Sequence, residues 1–230
     1  MNEAEPPFRD RRHAGGVLAQ KLGHYSSQAN VRVLALPRGG VPVGFEVARA
    51  LQLPLEIFVV RKLGFPGHQE YAIGAIASGG VQVMTALPGI AVSPEAIAEV
   101  IAREQVELRR REELYRSSQH PTRPLQGCTV IVVDDGLATG ASLRAAVRAI
   151  RQQRPVRLVV AVPVGAEAGW KALREEVDEL VCAVMPQSFC SASQWYQNFP
   201  QTSDDEVRAL LEEARQAASL LCGGNPASAT

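Results

Sequence analysis

Asp134 and Asp135 stand side by side at the end of the apolar run Val130-Ile131-Val132-Val133. A loop of small and hydroxyl residues follows them, Gly136-Leu137-Ala138-Thr139-Gly140-Ala141-Ser142. Two adjacent carboxylates repel one another unless a ligand or cation relieves them, so they suit hydroxyl groups or a metal ion. The loop beyond them offers the opposite chemistry. Thr139, Gly140, Ala141 and Ser142 bring backbone N–H groups and hydroxyls to the start of a helix, where the dipole favours an anion. One stretch of chain thus carries partners for a sugar ring and for a phosphate on it. A P-loop would need Gly-x-x-x-x-Gly-Lys-Ser/Thr, but Gly140 is followed by Ala141 with no lysine. The Gly-x-Gly-x-x-Gly fingerprint of dinucleotide binding is absent from this loop.

Three further groups could do chemistry. The turn Leu36-Pro37-Arg38-Gly39-Gly40 places two glycines behind an arginine, which lets the backbone approach an anion closely. Arg61-Lys62 puts two cations at the end of the apolar run 55–60. Trp195, Tyr196 and Phe199 gather many of the chain's few aromatics. They could stack on a flat heterocycle or pack the last helix onto a sheet.

These residues need elements to position them. Apolar strands are expected at 31–36, 55–60, 129–135, 158–164 and 179–184. Helices are expected at 9–22, 39–51, 141–153, 167–176 and 203–221. Strand and helix alternate, which predicts an α/β fold: three layers, α/β/α, around a mostly parallel central sheet. Ligands in such sheets bind at the carboxyl ends of strands, and the loops 37–40, 61–67 and 134–142 all fall there. The glycine-rich segment 61–80 reads as a long flexible loop returning through a strand near 72–77. Residues 81–84 are its expected partner, after a tight Gly79-Gly80 turn. Ser93-Pro94 opens a charged helix at 93–116, an insertion whose interleaved arginines and glutamates read as a solvated face. Its other readings are an oligomer contact or a wall over the site.

Composition bounds the partners. The 230 residues allow a single domain over 1–222, and the polar stretch 223–230 reads as a disordered tail. Zero net charge gives no electrostatic support for broad nucleic-acid binding. Cys128, Cys182, Cys190 and Cys222 lie far apart, which suits free thiols in a reducing cytoplasm. No apolar stretch approaches a membrane span, and the polar start is no signal peptide.

The segment 130–142 resembles the phosphopentose loop of the type I phosphoribosyltransferases. The resemblance implies that Asp134 and Asp135 contact the ribose hydroxyls of phosphoribosyl pyrophosphate (PRPP). It places Gly136, Ala138, Thr139, Gly140, Ala141 and Ser142 along the donor and its 5-phosphate. The turn at 36–44 is similar to the family's pyrophosphate loop, which often carries a non-proline cis peptide, implied here between Arg38 and Gly39. Lys62 is implied to reach the pyrophosphate. The implied catalytic set is Asp134, Asp135, Arg38 and Lys62. The implied cofactor is Mg2+, held mainly through the substrate, with Asp134 and Asp135 as its protein contacts. Residues 64–77 would be a flexible lid with His68, Glu70 and Tyr71 as polar members, departing from the family's basic or Ser-Tyr element. A small hood would form near 1–14 and 186–201, with Trp195, Tyr196 and Phe199 as an acceptor pocket. The overall pattern looks most like stand-alone phosphoribosyltransferase-domain proteins of bacteria. The implied function is transfer of a phosphoribosyl group from Mg2+-PRPP to a nitrogen nucleophile with pyrophosphate release. The alternative is a PRPP-sensing regulator. The acceptor stays open.

Overall fold

The computed structural model describes residues 7–66, 68–84, 93–115 and 124–222, with the side chains of 68–72 and 220–222 left aside. In chain order the strands are β1 (Val31–Ala35), β2 (Leu55–Ile57), β3 (Val60–Phe65), β4 (His68–Ala77), β5 (Val81–Met84), β6 (Thr129–Val133), β7 (Arg157–Val164) and β8 (Glu179–Val184). The helices are α1 (Arg11–Lys21), α2 (Gly40–Leu51), α3 (Pro94–Tyr115), α4 (Ala141–Gln152), α5 (Glu167–Arg174) and α6 (Asp204–Cys222).

Five strands form a parallel sheet in the order β2-β1-β6-β7-β8. A strand covered on both faces has no polar side, so it reads as an unbroken apolar run. Every residue of β6 is buried, as is all of β7 after Arg157. Alternate residues then serve opposite faces. Val33, Ala35, Ile131, Val133 and Val159 pack with Leu18, Phe45, Val47 and Val207 from α1, α2 and α6. Leu34, Val130, Val132, Leu158 and Val160 pack with Leu143, Val147, Ile150 and Leu173 from α4 and α5. The three-layer expectation holds. Two of the sequence's helix starts also hold: Ser93 Oγ accepts the Ala96 N–H and Ser203 Oγ accepts the Glu206 N–H, each at 3.1 Å.

The expected strand 55–60 is divided. β2 stops at Ile57, and Val60 begins β3 in a separate antiparallel sheet, β3-β4-β5. The cause is a change of hydrogen-bond partner. Phe58 N–H still donates to Ala35 O at 3.0 Å, but Val59 N–H donates to Ser78 Oγ at 3.0 Å. Phe58 and Val59 are both buried, one against each face, so hydrophobicity does not mark the break.

The segment expected as a loop over 61–80 is paired as a hairpin of β3 and β4, and the return strand expected near 72–77 is the later part of β4. Its glycines lower strand propensity, and its anchors are few: Leu63, Ile73 and Ile76, all buried. Gly67 and the side chains of His68, Glu70 and Tyr71 lie outside the described residues. β5 and the turn at Gly79-Gly80 match expectation. Residues 1–6 of the expected hood and the tail 223–230 also lie outside. Among the described residues no helix is long and apolar enough to cross a membrane.

Candidate functional site

The chain leaves β1 on one side for β2 and returns on the other side of β1 for β6. At such a reversal the two following segments diverge and open a crevice at the strands' carboxyl ends. Here those segments are 36–39 and 134–140, and they interlock. Leu36 N–H donates to Val133 O at 2.9 Å. A Cβ on Gly39 would lie 2.0 Å from Asp135 Oδ2, and one on Gly40 would lie 2.7 Å from Val133 O. The acid loop's backbone leaves no room for a side chain at Gly40, and one at Gly39 would displace the Asp135 carboxylate. The turn does contain a cis peptide, but between Pro37 and Arg38, one bond earlier than expected. Gly39 already has right-handed helical backbone (φ −59, ψ −33) continuous with α2, so the irregular bond falls ahead of it.

A cavity of about 340 Å³ opens at this crevice. Leu36, Pro37, Phe58 and Val60 form its apolar part, and Asp134, Ser142, Arg61, Lys62 and Arg111 its polar part. Three cations beside one acid suit a polyanion that also carries a hydroxyl or a metal. Arg61 and Lys62 were expected at the end of the second parallel strand. They lie early in β3 instead, because the chain has by then changed sheets. Arg61 is held by Glu104 through Nε at 2.9 Å and Nη2 at 2.7 Å, whereas Lys62 is exposed. Arg111 was not singled out from the arginines of its helix, since an ion-paired face and a site wall have the same sequence pattern. Its Nε donates to Glu107 Oε1 at 2.9 Å. Hydrogen bonds from Arg110 and Arg111 pull the Glu107 carboxyl down to about 2.

The acid pair is divided between two tasks. Asp134 lines the cavity, and its carboxyl is pushed well above the usual range by burial and then by the charge of Asp135. It accepts the Asp135 N–H at 2.9 Å. Asp135 turns to Arg11, whose Nε donates to its Oδ2 at 2.8 Å. The Tyr196 hydroxyl donates to the Asp135 carbonyl at 2.6 Å. Gly136 packs against Ala192, and Ala138 and Thr139 are exposed ahead of α4. Gly140 is left-handed at φ 75 and gives α4 no side-chain cap. Thr139 Oγ1 accepts the Ala141 N–H at 3.4 Å. The first turn of α4 borders the cavity through Ser142.

The remaining expected residues sit around this centre. Arg38 lies 3.8 Å from Asp204, which also accepts the Tyr115 hydroxyl. Burial and that bond raise the Tyr115 hydroxyl to about 12. Tyr196 is buried between Phe8 and Phe199, with ring centroids at 5.4 Å and 4.7 Å. The Arg11 guanidinium lies 3.6 Å over the Phe199 ring. These aromatics cluster about Arg11 rather than along the cavity wall. Arg11 falls in the helix expected at 9–22 and in the hood segment, but nothing in its sequence neighbourhood shows a partner 124 residues away.

Residues 11–196 match the phosphoribosyl transferase domain. The chain belongs to that family. Two Mycobacterium tuberculosis proteins, each named "Putative phosphoribosyl transferase", are 44% identical to it over 211 residues. The match covers 91% of this chain and 47% of theirs, so the chain spans about half the length of the curated relatives it matches. A crystal structure from Thermus thermophilus is 41% identical, with a TM-score of 0.80, covering 90% of this chain and 98% of that one. The parallel sheet with an appended antiparallel sheet is thus this family domain's architecture in this chain.

Proposed function

We propose that this phosphoribosyl transferase family chain takes Mg2+-PRPP as donor and transfers its phosphoribosyl group to a nitrogen nucleophile, a nucleobase or similar heterocycle, in the cytoplasm. The observation that carries the reading is the cavity at the β1–β6 reversal, where Arg61, Lys62 and Arg111 meet Asp134 and the first turn of α4. A donor with phosphate at one end and pyrophosphate at the other needs N–H dipoles and cations at two places, with hydroxyl acceptors between. In this reading Thr139, Gly140, Ala141 and Ser142 hold the 5-phosphate, on a turn shaped by Gly136 and Ala138. Asp134 and Asp135 take the ribose hydroxyls. Arg38, Gly39, Gly40 and Lys62 follow the pyrophosphate, joined by Arg61 and Arg111.

In the reaction the C1–oxygen bond to pyrophosphate breaks and a C1–nitrogen bond forms. Positive charge develops on the sugar and negative charge on the leaving group. In this reading Asp134 would face the first and the cations the second, which would be preorganised electrostatic stabilisation. The residues fit magnesium: Asp134 is a hard oxygen donor, and a divalent ion would relieve its repulsion with Asp135. When bound with the donor, an ion held by Asp134 would supply Lewis-acid stabilisation of the leaving group. Trp195, Tyr196 and Phe199 do not line this cavity; the Tyr196 hydroxyl joins their segment to Asp135, and the acceptor stays open.

Calorimetric titration with Mg2+-PRPP should show saturable binding. Asp134→Asn combined with Asp135→Asn should weaken it at least about a hundredfold, since hydrogen bonds to charged groups contribute about 1.5–3 kcal/mol each. No binding by the wild type, or normal binding by the double variant, sinks the assignment. Pyrophosphate release across a panel of bases separates a transferase from a PRPP-sensing regulator; binding without release from any base favours the regulator.

A further inference from the structure

We infer that Arg11 is a positioning residue, which fixes Asp135 and thereby orders the acid pair at the cavity mouth. Arg11 opens α1 and is 9% exposed. A buried guanidinium must have its charge and its donors satisfied. Arg11 meets this with three contacts from two places in the chain, the loop after β6 and residues 199–200. Nε donates to Asp135 Oδ2 at 2.8 Å, Nη1 donates to Pro200 O at 2.6 Å, and the plane covers Phe199 at 3.6 Å.

The path from Arg11 to the cavity runs through two residues. Asp135 is held by Arg11 at its carboxylate and by Tyr196 at its carbonyl. The Asp135 N–H is then fixed in space, and that N–H is what the Asp134 carboxylate accepts at 2.9 Å. Asp134 lines the cavity and Arg11 does not. A purely structural ion pair would have no such route. The missing side chain of Gly39 completes the arrangement, since it leaves room for Asp135 Oδ2 to reach Arg11. Arg11 thus ties α1 and residues 196–200 to the loop after β6. Lysine would keep the charge but offers its donors from a single nitrogen, so it would match the spaced pair of Asp135 and Pro200 less well than the planar fork.

The consequence for donor binding rests on the phosphoribosyl reading; the positioning itself does not. Two arms keep them apart. The first is ligand-free amide hydrogen exchange across 134–142, comparing wild type with Arg11→Gln and Arg11→Lys. Exchange there should quicken about tenfold or more in R11Q, and R11K should restore part of the protection. Unchanged exchange in R11Q overturns the inference. The second is calorimetry with Mg2+-PRPP, in which R11Q should weaken binding about tenfold. In an Asp135→Asn background the same substitution should add nothing, because a residue acting through Asp135 is silent once Asp135 is altered. A full additional loss in that background overturns the route through Asp135. Should R11Q not fold, R11K carries both arms, with intermediate exchange and affinity expected and wild-type values overturning the inference. If the wild type does not bind Mg2+-PRPP, the proposed function falls, and the exchange arm still decides Arg11.

Discussion

The N–H of Val59 donates to the hydroxyl of Ser78 at 3.0 Å, and the Ser78 N–H returns to the Val59 carbonyl at 2.9 Å. This pair is where the chain passes from the parallel sheet to the antiparallel one, carrying Arg61 and Lys62 to the cavity just beyond. Ser78 is 1% exposed, so no water replaces its hydroxyl. Ser78→Ala leaves the buried Val59 N–H unpaired and should cost about 1–3 kcal/mol. Urea unfolding measures it; a stability within error of wild type would mean that the hydroxyl does not hold the junction.

Gly39→Ala tests the interlock of the two loops. The added methyl would stand on Asp135 Oδ2, so either Asp135 leaves Arg11 or the turn at 37–40 moves. Overpacking of this kind costs about 1–3 kcal/mol. Affinity for Mg2+-PRPP should fall about tenfold or more, the equivalent of one charge-assisted hydrogen bond. A variant that binds the donor as the wild type does would separate Gly39 from the site.

Arg111 should act as a ligand for the leaving group. Arg111→Gln is expected to weaken inorganic pyrophosphate binding about tenfold, and the salt dependence of binding should flatten with the loss of one cation. Arg109→Gln, an exposed neighbour on the same helix, serves as the control. Equal losses in both variants would assign the effect to general charge.

Alkaline stability should depend on Tyr25. Its hydroxyl donates to Glu179 Oε2 at 2.6 Å and accepts from Arg157 Nε at 2.9 Å. Burial, then Glu179, raises it from 10.0 to about 12. The unfolded chain releases this proton first. The contribution is therefore complete below pH 10.0 and is lost as pH rises through about 12. Tyr115 behaves alike, raised to about 12 by burial and Asp204. The urea midpoint should fall across that window, and Tyr25→Phe should make the fall shallower. An identical fall in Tyr25→Phe would remove Tyr25 from the account.

The amino-acid sequence alone determined the local devices. Unbroken apolar runs announce strands covered on both faces, as at β6 and β7. Two acids followed by small and hydroxyl residues announce a strand end and the loop that leads into the next helix, as at 134–142. Ser93 and Ser203 announce helix starts through their side chains. Each of these depends on neighbours within a few residues, where composition and period carry the physics.

What only the tertiary structure decided depends on partners distant along the chain. Val31 to Ala35 pair with Thr129 to Val133, which makes the crevice where the two loops meet. The run 55–60 breaks at Ile57 because its hydrogen bonds pass to Ser78, while its hydrophobicity continues unchanged. Arg111 reaches the cavity through the seating of α3 against β3, and Arg61 is held by Glu104 of the same helix. Arg11 finds Asp135 across the whole domain. Side-chain type sets which ion pairs are available, but backbone pairing and helix seating select among them, and no short window of sequence contains that choice.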